Sequence, residues 1–314
     1  MADPSAEDLG GSFTRRSLIG AGASLGAASL LSACGEGGTA STAPGEPIDA
    51  AAAGMPYRQD DPRWGSDLMW DRDLVIEAET KLNGRPRAEA EGLMREFDDG
   101  NNIANEGCLL TCLAMVLRLL DPGQRPEWNP GNLNRAAQEA YFYTLSGLAM
   151  EPLYADLVAE ASEGLVQLLA QELYLPGVEP WRPVEPADSA LVRAYRTLTP
   201  GQRGTCLVMV KTGTWDDTVG SHYALLDPAD RSDPGADDAL ILDPAEPLGR
   251  RGPWRLSDSA KAITQDPEIA AAWKENRITP TRIGGAWAFS RWDRTRAMPL
   301  ASPLVAEWAK QLSS

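Results

Sequence analysis

The chain holds four cysteines and a single histidine, and Cys108 with His222 is the pair whose setting suits covalent chemistry. Cys108 opens the apolar run CLLTCLAMVLRLL directly after Asn105-Glu106-Gly107. A cysteine attacks as the thiolate, and the first turn of a helix offers the partial positive field that stabilises one. Gly107 is expected to leave room for another group beside the thiol, whereas Cys112, one turn further in, loses the terminal field. A cysteine in such a run is more commonly a small core residue, so the reactive reading needs a base. His222 follows Gly220-Ser221 and precedes the apolar Tyr223-Ala224-Leu225-Leu226, a position that puts its ring at a strand mouth. Imidazole can take a thiol's proton near neutrality and return it to a leaving amine. A lone histidine is more often structural, and its place ahead of a hairpin is what favours chemistry here.

Two further side chains complete the set. Asp243 stands before Pro244 at the end of Leu240-Ile241-Leu242, where a carboxylate would face His222 across a strand pair and hold the ring's orientation. Asp-Pro alone is also an ordinary strand terminator. Gln59 can donate its side-chain amide, with the Cys108 backbone N–H, to the oxyanion of a tetrahedral intermediate; without that context it reads as a solvated loop residue. The four residues together spell acyl transfer from an amide to water.

The elements that must position them follow from pattern. Residues 56–70 carry turn signals and aromatic anchors and predict loop. Cys108 to Leu120 is apolar on nearly every face and stops at Asp121-Pro122-Gly123, which predicts a buried helix. Helices are predicted around Asn132–Leu145, Leu153–Leu173 and Asp188–Leu198, so the insertion at about 121–200 reads as helical. Thr205–Val210 reads as a strand, and Tyr223–Leu226 with Ala239–Leu242 as a hairpin across an Asp/Gly/Pro-rich turn. In the tail, Glu268–Lys274 and Leu304–Leu312 look helical and Gly285–Phe289 strand-like. Helices followed by a mostly antiparallel sheet give an α+β domain.

Thr14-Arg15-Arg16-Ser17-Leu18-Ile19, ahead of the Gly/Ala/Ser-rich run to Ala33, resembles a twin-arginine export signal, and Leu31-Ser32-Ala33-Cys34 resembles a bacterial lipobox. That likeness makes residues 1–33 a signal peptide and Cys34 a lipidation site, with the protein held on the outer face of the cytoplasmic membrane. The apolar run is too short and glycine-rich for a membrane span. Residues 34–54 read as a flexible tether, and residues 55–314 as one domain. The formal charge of −16 disfavours nucleic acid and anionic headgroups as partners, leaving the anchor as the membrane contact. With one histidine and one close cysteine pair, no metal site or cofactor is expected. Cys112 and Cys206 are expected as buried, inert thiols rather than a disulfide pair.

The order YRQDDPRWG, NEGCLLTCLAMVL, GSHYALL and ILDP resembles the papain-like cysteine peptidases related to bacteriocin-leader-processing enzymes, family thirty-nine of clan CA. The likeness runs over scattered motifs between residues 56 and 247. It implies a nucleophile helix packed on a mostly antiparallel sheet, with Gln59 as oxyanion donor, Cys108 as nucleophile, His222 as base and Asp243 as orienting acid. A peptide or protein would be the substrate. Leu109 stands where a smaller residue is common, which bears on subsite shape, and Cys112 where Ser or Thr is usual. Two other readings remain open at this stage: another amide on the same scaffold, such as a peptidoglycan cross-link or a protein glutamine, and a catalytically silent, surface-tethered binding module. Trp64 and Trp215 are candidates to line a groove, although core packing suits most of the ten tryptophans.

Overall fold

The computed structural model describes residues 48, 50–51, 53–70, 72–82, 84–94, 102–120, 128–139, 142–144, 147–148, 153–173, 184–212, 222–245, 253–258, 267, 271 and 282–291. The signal-like segment, Cys34, Trp215 and the expected tail helix Leu304–Leu312 lie outside them, as does nearly all of Glu268–Lys274. The chain is a mixture of helices and antiparallel sheet, an α+β arrangement.

The N-terminal part is helical: α1 (Arg72–Leu82), α2 (Arg87–Met94), the single turn α3 (Ile103–Glu106), α4 (Cys108–Leu120) and α5 (Pro130–Glu139). A short hairpin, β1 (Tyr143–Thr144) and β2 (Gly147–Leu148), leads to α6 (Leu153–Ala161). Then come β3 (Val166–Leu173), α7 (Ala190–Thr197), α8 (Pro200–Arg203), β4 (Cys206–Thr212), β5 (His222–Leu226), β6 (Leu240–Leu242), β7 (Trp254–Arg255) and β8 (Ile283–Arg291). One six-stranded sheet takes the order β3-β8-β4-β5-β6-β7, antiparallel at every pairing.

Both faces of this sheet are covered, which explains why β4 is buried at every position rather than at alternate ones. Leu207, Met209, Leu225, Leu242 and Trp287 pack on one side with α4, and Val208, Val210, Ala224, Ile241 and Ala286 on the other with α7. The successive residues point to opposite faces, so one strand serves two cores. Helix α4 carries most of the first core: ten residues from Leu110 to Leu120 are buried, each large one contributing roughly 1.5–3 kcal/mol. Among the described residues, no helix is long and apolar enough to cross a membrane.

Several sequence expectations change. The stretch 153–173, predicted as one helix, is helix α6 followed by strand β3. Glu163 and Gly164 adopt positive φ of 50° and 78°, and Ser162 Oγ accepts from Val166 N at 2.9 Å, so the chain turns where a helix would continue. Strand β3 then pairs along its length with β8 from the far end of the chain, and those ladder bonds override the helix-favouring composition of Gln167–Leu173. The helix predicted to Leu145 ends at Glu139, with Tyr143 and Thr144 in the short hairpin. The 121–200 insertion is therefore not wholly helical and supplies an edge strand of the main sheet. Gly285–Phe289, of unplaced position in the sequence, lies inside the sheet between β3 and β4. Ala50 is buried and Ile48 packs on the core, so packing begins before Met55, within the stretch read as tether.

Candidate active site

Helix α3 is capped by Asn102, whose side chain accepts from Asn105 N at 3.0 Å, and the N–H of Gly107 closes it by donating to Ile103 O at 2.9 Å. A Cβ at Gly107 would lie 2.5 Å from Ile103 O and 2.6 Å from Ile103 Cγ2. Glycine is thus required by the preceding turn, and the space beside Gly107 is filled by Ile103; the expectation that it is left for a group approaching the thiol is corrected. Cys108 follows as the first residue of α4, partly exposed and free. Its helix is anchored by the apolar stripe beneath it, so the sulfur's position is set by the core.

His222 is the first residue of β5, opposite Thr212 in the β4 register, and Thr212 Oγ1 donates to the His222 carbonyl at 3.2 Å. The β5–β6 register pairs Leu225 with Leu242, which carries Asp243 toward the start of β5. The imidazole Nε2 lies 2.7 Å from Asp243 Oδ1; His222 is 8% exposed and Asp243 fully buried. Asp243 Oδ1 also accepts from Ala245 N at 2.9 Å, which fixes the carboxylate. With Nε2 donating to Asp243, Nδ1 is left as the ring's second nitrogen, and the Cys108 sulfur lies close enough to act on the ring's charge. Burial opposes the imidazolium, but the Asp243 carboxylate and the Cys108 sulfur overcome it and hold the His222 pKa well above its usual value.

Gln59 reaches the same corner through two bonds. Its backbone N–H donates to Pro244 O at 2.9 Å, and its Nε2 donates to Ala104 O at 2.6 Å, four residues ahead of Cys108. The amide is 9% exposed, and Oε1 has no hydrogen-bond partner among the described residues. One Nε2 hydrogen is occupied by Ala104, which leaves the second for another acceptor. The loop holding Gln59 is fastened to α4 by Tyr57 N, which donates to Met115 Sδ at 3.4 Å. It is closed by Trp64, whose Nε1 donates to Arg58 O at 2.7 Å. Trp64 is 3% exposed and stacks edge-on with Tyr57, so it is a core anchor and lines no groove.

The structure thus gathers Cys108, His222 and Asp243 and brings Gln59 against both the segment before Cys108 and the turn after Asp243. Sequence reading had no means of finding Ala104, Pro244 and Ala245, because each contributes only a backbone group. Cys112 is free and fully buried; burial, then the nearby Cys108 and Asp243, push its thiol pKa well up. Cys206 is buried, and free Cys112 is not bonded to it. Leu109 is half-buried against the α4 core. Among the described residues, no cluster of three or more His, Cys, Asp or Glu is placed to hold a metal ion.

A buried imidazole held by a carboxylate and close to a partly exposed thiol can keep a proton on the ring and later deliver it to a leaving group. Comparison of the chain with protein-family models, curated proteins and solved structures finds no match.

Proposed function

We propose that this chain is a cysteine-dependent hydrolase of peptide bonds with a papain-like fold, working outside the cytoplasmic membrane from a lipid anchor at Cys34. The observation that carries the reading is the position of His222, bonded through Nε2 to Asp243 and near enough to the Cys108 sulfur for the two to act on each other's charge. The apolar helix bearing the thiol, packed on an antiparallel sheet whose strand bears the imidazole, is the arrangement such a fold requires.

In the reaction, the Cys108 sulfur attacks the carbonyl carbon of a peptide. The oxyanion is held by the second Gln59 amide hydrogen and the Cys108 backbone N–H. His222 gives its proton to the amine as the C–N bond breaks, leaving a thioester on Cys108. It then takes a proton from the water that attacks the thioester; the C–S bond breaks and the acid is freed, leaving the Cys108 thiolate beside the protonated ring. Asp243 keeps the ring aligned and favours its charged form throughout. The paired Arg15-Arg16 and the Leu31-Ser32-Ala33-Cys34 sequence support export and anchoring.

The decisive measurement is alkylation of the full chain at mildly acidic pH, with the label located by mass spectrometry. Cys108 is expected to react on the order of 100-fold faster than Cys112, with the preference lost in His222→Ala. Equal, slow labelling of both would sink the reading.

A further inference from the structure

Cys112 is the one nucleophilic side chain at this corner that the proposed reaction leaves unused. It stands one helical turn beyond Cys108, on the same side of α4, and is close enough for the two sulfurs to influence each other's charge. Both are free. Side chains four apart on a helix have Cβ atoms about 5–6 Å apart. A disulfide needs Cβ atoms about 3.5–4.5 Å apart. The gap to be closed is small, and it falls at the first residue of the helix, where backbone bonds yield more readily than in the interior.

We propose that Cys108 and Cys112 form a reversible disulfide when Cys108 meets a peroxide, so that this corner is an oxidation site as well as a hydrolytic one. The proposal rests on the reading of Cys108 as a charged nucleophile. The Cys108 sulfur attacks one peroxide oxygen, the O–O bond breaks, and sulfur gives up two electrons to become a sulfenic acid while the other oxygen leaves as water. The Cys112 sulfur then attacks the Cys108 sulfur. The S–O bond breaks and hydroxide departs with the Cys112 proton as a second water. Two thiols and one peroxide thus become one disulfide and two waters, and a thiol reductant reverses the change. A bond stretched along a helix is strained and hence readily reduced. Its value lies in halting oxidation before the irreversible sulfinic stage, which the exposed sulfur of Cys108 would otherwise reach.

The full chain should be treated with equimolar hydrogen peroxide, with and without dimedone, which traps sulfenic acid, and digested without reduction. In the wild type, the peptide carrying both cysteines is expected to lose two hydrogens, to lose its labelling by iodoacetamide, and to recover it with dithiothreitol. In Cys112→Ala and Cys112→Ser, hydrolysis before oxidation is unchanged, while dimedone capture on Cys108 rises about fivefold and sulfinic acid accumulates. Equal dimedone capture in wild type and both variants, with no lighter peptide, overturns the disulfide and leaves Cys108 a reactive thiol. Neither dimedone adduct nor lighter peptide in any form overturns the disulfide and the nucleophile reading together.

Discussion

Two buried polar clusters lie at opposite ends of the β5–β6 hairpin and differ in what their hydrogen bonds hold. At the loop end, Arg196 donates to Ala236 O, Ser232 Oγ and Asp238 O at 2.7–2.9 Å. Arg203 donates to Leu198 O at 3.1 Å, Arg196 O at 2.8 Å, and the carbonyls of Pro228 and Asp230. Asp230 answers with bonds from Ser232 and Leu240 N, and Arg203 lies over the Tyr195 ring. This cluster directs most of its guanidinium bonds to backbone carbonyls that would otherwise be buried without partners, while Arg196 Nε and the Tyr195 hydroxyl make no hydrogen bond among the described residues. At the other end, Gln59 keeps an unpartnered Oε1 and a spare amide hydrogen, and His222 spends Nε2 on Asp243 with the partly exposed Cys108 thiol nearby. Guanidinium bonds to the carbonyls of one loop make a fixture, whereas an amide with a spare hydrogen beside a partly exposed thiol can receive a reacting group. The arginine cluster clamps the hairpin whose free end presents His222 and Asp243.

Removing the carboxylate tests the open end most severely. Asp243→Ala should lower kcat/KM for a cleavable peptide by about a thousandfold, since the ring loses both orientation and charge support. Asp243→Asn keeps an acceptor for Nε2 but removes the charge, so its loss should be smaller and diagnostic in pH. The His222 pKa, raised in the native protein by Asp243, would fall, and the basic limb of the activity profile would move to lower pH. The stability owed to that raised pKa is fully present below the unfolded value near 6.5 and fades as pH climbs through the folded one; titrating urea unfolding of both forms shows whether Asn abolishes it.

The arginine end should break differently. Arg203→Met leaves several carbonyls unpaired and should cost about 3 kcal/mol in urea unfolding. Activity of the folded fraction should stay near wild type at low temperature, and a parallel loss of kcat would mean that the two ends are not separable. The smallest effect is expected from Gln59→Ala, with kcat lower by about 100-fold and KM little changed. A fall in folding stability larger than the fall in kcat would instead make Gln59 a tie between Ala104 and Pro244.

Which parts were legible follows from where their information lies. Helix α4 could be read because thirteen residues carry an apolar pattern that closes at Asp121-Pro122-Gly123, and the β5–β6 hairpin because two apolar runs flank a turn-rich loop. Strand β3 could not, since Leu, Ala, Gln and Glu favour a helix and only pairing with β8, more than a hundred residues later, makes it a strand. The local warning was Ser162-Glu163-Gly164, where positive φ ends α6. Gly107 was legible as a required glycine but not for the right reason, because the neighbour that demands it, Ile103, is brought there by the α3 turn.

By itself the sequence determined the residue types: a thiol at the head of an apolar helix, a single imidazole before a strand, a carboxylate before a proline and an amide in an aromatic loop. Those properties are local, carried by spacing and composition. The 2.7 Å bond from His222 to Asp243, the meeting of that ring with Cys108, and the bridging of Ala104 and Pro244 by Gln59 were decided by tertiary structure. They depend on packing α4 against one face of a sheet assembled from distant segments, and no stretch of chain holds that information alone.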